Sequence, residues 1–114
     1  MRDRRIERRN LIVIVSIALA CLVLVHLYHV RAEHLKVAKE SAQAQDRYSK
    51  LALKQRSVAW SNQDQGRMDV AYEWYAQTLR SERLAKHHLY VKRRHERAAN
   101  CPWIPLDSDP PEPL

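Results

Sequence analysis

Residues 11–30 read LIVIVSIALACLVLVHLYHV, a run without one charged side chain, and no other feature restricts this chain so severely. At 1.5 Å of rise per residue, a helix through it is about 30 Å long, the thickness of a bilayer's hydrocarbon core. A helix packed on a water-soluble core shows a polar stripe, and up to Val25 only Ser16 interrupts the apolar series. The run therefore predicts a transmembrane helix, with His26, Tyr28 and His29 at its polar boundary.

The flanks suggest an orientation. Arg2, Arg4, Arg5, Arg8 and Arg9 precede the run, whereas residues 31–45 offer Arg31, Lys36 and Lys39. The excess of basic residues places residues 1–10 in the cytoplasm and everything after residue 30 outside it, in the periplasm if the source is bacterial. Ala18, Leu19, Ala20 and Cys21 resemble a lipoprotein cleavage box, but Leu22, Val23, Leu24 and Val25 continue the apolar series where a processed lipoprotein turns polar. An uncleaved signal-anchor is the expectation, with Cys21 as a small apolar residue in lipid.

Composition removes several classes. One glycine among 114 residues cannot build the phosphate turns of a Rossmann or P-loop enzyme, and two cysteines do not make a disulfide scaffold. The net charge of +7 points to anionic partners without saying which.

Residues 31–100 contain no proline and one glycine, Gly66, and are rich in Ala, Leu, Lys, Arg, Gln and Glu, which predicts helix throughout. Unbroken, this stalk reaches about 100 Å; bent at Gly66 it becomes a hairpin of two arms of half that length. The fold class is thus all-α: one N-terminal transmembrane helix, a helical stalk or hairpin, and a Pro-rich extended tail over residues 101–114. In the first arm Val37, Ala44, Leu51 and Val58 recur every seven residues, with Tyr48 alongside, a seam suited to packing another helix. In the second, Met68, Tyr72, Tyr75 and Leu79 form a stripe at helical spacing beside Trp74. Residues 58–79 resemble the middle of a tetratricopeptide unit. In that resemblance Ala59 and Gly66 take the small-residue positions and Ala71, Tyr75 and Leu79 lie on the second helix, but Gln55 and Asn62 depart from its aromatic positions and no second copy is visible.

Residues 80–97 are basic, and Arg93, Arg94 and Arg97 are the candidates for contact with an anionic surface, the alternative being a solvated helix end. Lipid is favoured over nucleic acid, which the outer compartment of a bacterium lacks. The ending CPWIPLDSDPPEPL holds all five prolines and exposes Trp103, Ile104 and Leu106 as a candidate docking peptide, a loose terminus being the alternative. His26 and His29 lie one helical turn apart and read as interfacial anchors in preference to metal ligands, while His87, His88 and His95 lack the HExxH arrangement and read as surface residues. No pocket is expected on a stalk, so neither catalysis nor a cofactor is expected. Cys101 is either a free thiol or an intermolecular disulfide that ties two tails together.

In the order of its parts, namely basic start, single anchor, Gly-poor helical stalk, basic helix end and Cys-Pro-Trp-x-Pro tail, the chain resembles the inner-membrane spanins of tailed phages. The resemblance implies a coiled-coil stalk over residues 32–100, docking of residues 98–114 on an outer-membrane lipoprotein, and a mechanical role in host cell lysis by drawing two membranes together. The short stalk and thin heptad seam depart from that family. A membrane-anchored adaptor or assembly factor, in a mitochondrial inner membrane for example, or an accessory subunit of a larger membrane complex, is the competing expectation. Partners would be membrane lipid, a protein reached through the stalk or tail, and a second copy of the chain.

Overall fold

A computed structural model describes residues 2–114, with side chains from Asp3 onward; Met1 and the side chain of Arg2, both in the basic start, lie outside the described residues. Two helices account for most of it: α1 (Arg2–Asp64) and α2 (Met68–Asn100). Among the described residues there is no strand, and one helix is long and apolar enough to cross a membrane. The molecule is a rod whose longest dimension is 97 Å, set by the 63 residues of α1 running straight through residues 11–30 into the stalk.

Local chemistry fixes the ends. α1 stops because Gly66 adopts φ +78, a left-handed conformation that side chains with a Cβ rarely take. The Gly66 N–H donates to the Gln63 carbonyl at 3.0 Å and the Arg67 N–H to the Asn62 carbonyl at 2.9 Å, which closes the last turn as a Schellman motif. A Cβ at position 66 would meet nothing within 4 Å, so the cost of Gly66→Ala is purely that of the backbone, about 1–2 kcal/mol. The expected result is a thermal midpoint lowered by several degrees with helix content unchanged, read by circular dichroism. At the other end Pro102 disfavours helical geometry at Cys101, whose φ of −129 takes the chain out of α2.

The two helices fold back on each other from Gly66, so the stalk is a hairpin. Its seam is made mainly of small residues, Val91 and His95 being the larger side chains buried in it. Ala38, Ser41, Ala52 and Ala59 are buried on α1, and Ala71, Thr78, Ser81 and Ala85 on α2, with steps of three, four, seven and eleven residues that keep each series on one face. Ala59 and Ala71 are both 0 % exposed. Polar pairs set the register between the arms: the Ser81 hydroxyl donates to Gln55 Oε1 at 2.7 Å and the Tyr75 hydroxyl to Gln63 Oε1 at 2.9 Å, while Arg56 pairs with Glu82 along one side.

This seam is shifted by one residue from the positions that periodicity picked out. Val37 and Ala44 are half-buried and Leu51 and Val58 exposed, all four lying along the border of the interface. On α2, Tyr75 is half-buried, whereas Met68, Tyr72 and Leu79 are exposed, Tyr72 to 65 % and Leu79 to 55 %. Small side chains let two helices joined by a short turn approach closely, and bulky ones are then forced to the flanks. Residues 11–25 present their large apolar side chains outward, and the Ser16 hydroxyl donates to the Ile12 carbonyl at 2.7 Å, which keeps that polar group satisfied within the helix.

Candidate functional site at the foot of the hairpin

The fold returns the end of α2 to the point where α1 leaves its apolar run. There His34 of α1 meets His95 of α2, Nδ1 to Nδ1 at 2.8 Å. His95 is buried, 7 % exposed, and its Nε2 lies 2.9 Å from both carboxylate oxygens of Asp109. Residues 101–114, neither helix nor strand, turn back along α2 to bring Asp109 there. Arg94 holds the same segment by its backbone: Nη1 donates to the Ser108 carbonyl at 3.1 Å and Nη2 to the Asp107 carbonyl at 2.5 Å. Farther up, His88 Nε2 lies 3.6 Å from Glu112 while Tyr48 of α1 stacks on the His88 ring, centroids 5.5 Å apart and planes within 4°.

The donor and acceptor roles follow from these distances. A carboxylate accepts only, so His95 Nε2 carries a hydrogen. With His95 neutral, its Nδ1 is an acceptor and His34 Nδ1–H donates; with His95 protonated, its Nδ1–H donates to a neutral His34. The two rings are therefore not protonated together, because two imidazolium rings would point hydrogens at each other. The His34 pKa is held below its ordinary 6.5 by burial first and by His95 second, against an upward pull from Asp109 and Glu33. His88 is lowered as well, again by burial first, with Glu112 pulling it up and His87 and Arg47 pushing it down.

The closed foot thus binds fewer protons than an opened one, and its stability is complete above about pH 6.5 and is lost as pH falls through the depressed His34 value. Amide protection at residues 88–112 is expected to drop between about pH 7 and pH 5, the range in which histidine titrates. Replacing His34 by Gln should flatten that dependence; an unchanged slope in His34→Gln would remove His34 from the account.

The candidates named from sequence are placed as follows. Arg94 is committed to the tail carbonyls, while Arg93 and Arg97 are exposed. Trp103 and Ile104 are exposed, and Leu106 is half-buried in a groove with Ala98 and Cys101. His95 is not the surface residue expected. His87 and His88 are half-buried, and the two thiols, Cys21 and Cys101, are free. His34, Asp109 and Glu112 were not singled out by any motif, since the cluster joins residues 61 and 14 positions apart. One signal was legible: an acidic segment, DSDPPE, follows a basic helix after six intervening residues. Among the described residues no group of three or more His, Cys, Asp or Glu side chains is placed to hold a metal ion.

Fold and site together define a class: a two-helix hairpin carried on a long apolar helical extension, with its C-terminal segment docked at the foot. No family model, characterised protein or solved structure matches the chain.

Proposed function

We propose that this is a non-enzymatic, single-pass membrane protein that presents a helical hairpin and a releasable tail to a protein partner, as a membrane-anchored adaptor or accessory subunit. One observation carries the reading: α1 leads, without a break, from a segment of outward-facing apolar side chains into one arm of a folded hairpin. Burying apolar side chains in lipid is favourable in proportion to area, and a rigid continuous helix then holds the hairpin at a fixed stance above the bilayer. The tip, near Gly66, stands about 50 Å from the boundary at Val30 by helix rise. Trp60, Tyr72 and Val70 are exposed in that region, a surface suited to a protein partner.

The proposed orientation keeps residues 1–10 in the cytoplasm. The fold brings Arg93 and Arg97 back beside the anchor, but topology is set by charges close in sequence to the span, which leaves the arginine-rich start dominant. A spanin-like role in host lysis is the second reading, favoured by the layout of parts. In that role the hairpin must open, because the tail that would reach another membrane is docked at the foot.

Alkaline extraction of membranes carrying the full-length protein is the test. The protein is expected in the pellet after ultracentrifugation, and a compartment-specific reporter fused after Leu114 is expected to work only outside the cytoplasm. Recovery in the supernatant overturns the anchored reading, and reporter activity in the cytoplasm overturns the orientation. Deleting residues 101–114 separates the two roles: loss of lysis with normal insertion supports the spanin-like one, and normal lysis eliminates it.

A further inference from the structure

The foot of the hairpin gathers cations within reach of the bilayer. Arg31, Lys36 and Lys39 of α1 are exposed there, and the fold adds Arg93 and Arg97 of α2, also exposed. His34, which contacts His95, is four residues beyond Val30, about 6 Å along the helix axis, which is less than one Debye length at physiological ionic strength. Onto this basic foot the tail lays Asp107 and Asp109, the latter paired to His95, while Glu112 pairs with His88 farther up the hairpin. The carboxylates nearest the foot and the phosphates of a bilayer therefore face the same basic end of the hairpin.

We propose that anionic phospholipid headgroups compete with the acidic tail for the foot, so that a negatively charged leaflet releases residues 101–114 from α2. The inference rests on the anchored reading given above. Both electrostatic effects act in one direction. Headgroups attract Arg93, Arg97 and the lysines of α1 toward the surface, and they repel the tail carboxylates nearest it, Asp107 and Asp109. Release frees the Arg94 guanidinium from the two backbone carbonyls it holds, adding a further cation to the lipid-facing set. It also detaches Leu106 from its groove and delivers it with Trp103 and Ile104 to solvent, where the candidate docking peptide becomes available to a partner. In a neutral leaflet the tail supplies the counter-charges itself and the peptide stays put.

Full-length protein in nanodiscs of phosphatidylcholine, with and without phosphatidylglycerol, tests this by deuterium uptake of the peptide covering residues 101–114. Uptake is expected to quicken by about tenfold in the anionic discs, the effect of one or two basic side chains near an anionic surface, and to slow again at high salt. Arg93→Gln with Arg97→Gln should lose the response, read as the ratio of uptake in anionic discs to uptake in phosphatidylcholine discs for the same variant, so that any change in tail docking itself cancels. Equal uptake in the two kinds of disc overturns the competition, as does an undiminished response in the double variant. Acceleration by inorganic phosphate in phosphatidylcholine discs overturns the assignment to headgroups. Failure of the protein to enter discs at all, with the chain left in the aqueous fraction, overturns the anchored reading and this inference with it.

Discussion

Replacing Ala59 by leucine is expected to open the hairpin. Ala59 has no exposed surface, and neither has Ala71 on the other arm. Adding three heavy atoms to a closely packed site costs about 1–3 kcal/mol, because neighbouring side chains must leave their rotamers or the helices must part. Among the described residues no large side chain is fully enclosed, so the hairpin has little deep apolar burial against which to offset that cost. The helices themselves persist, being favoured by composition. The measurement is therefore of tertiary structure: amide exchange along residues 34–100 should accelerate and protease sites in α2 should become accessible, with helical circular dichroism little changed at low temperature. Ala76→Leu, at an exposed position of α2, is the control and should leave both readouts where they were. Normal protection in Ala59→Leu would show that the small-residue seam is not what holds the arms together.

Replacing His95 by alanine is expected to release the tail. The substitution removes the group that Asp109 accepts from and leaves His34 without its partner across the seam. Loss of a hydrogen bond to a charged group costs roughly 1.5–3 kcal/mol, which is about a ten- to hundredfold change in the ratio of docked to free tail. The tail's remaining tethers are the Arg94 bonds to two carbonyls and the longer His88–Glu112 contact, and neither replaces a partly buried hydrogen bond to a carboxylate. Deuterium uptake of residues 101–114 should rise accordingly, and Cys101 should react faster with a thiol reagent. His95→Gln keeps an N–H donor at the site and should recover part of the protection. Equal uptake in His95→Ala and the parent chain would mean that Asp109 is not a latch.

The two substitutions mark two kinds of information. That the chain is helical was legible from the absence of proline and the single glycine across residues 31–100, since intrinsic propensity summed over that length leaves little alternative. The break at Gly66 was legible as one of two options. The seam was not: hydrophobic periodicity weights Val37, Leu51, Tyr72 and Leu79, whereas a closely spaced helical pair is governed by the residues that take least room. Ala38, Ala52, Ala59 and Ala71 carry a weak hydropathy signal one position away from the stronger one. The foot was hidden for another reason. A histidine is recognised as part of a site through its neighbours, and those of His95 are distant in sequence on both sides.

The amino-acid order by itself determined the apolar run of residues 11–30, the helical character of residues 31–100 and the stop before Pro102, because hydropathy, backbone propensity and a proline each act within a few residues of chain. Only the tertiary structure decided that the basic end of α2 lies beside the end of the apolar run instead of far from it, that His34 meets His95, and that an acidic terminus closes over them. Those pairings depend on which faces two helices turn to each other once the chain reverses at Gly66, and that choice is made by side-chain volume and counter-charge across the gap, quantities that no local stretch of sequence contains.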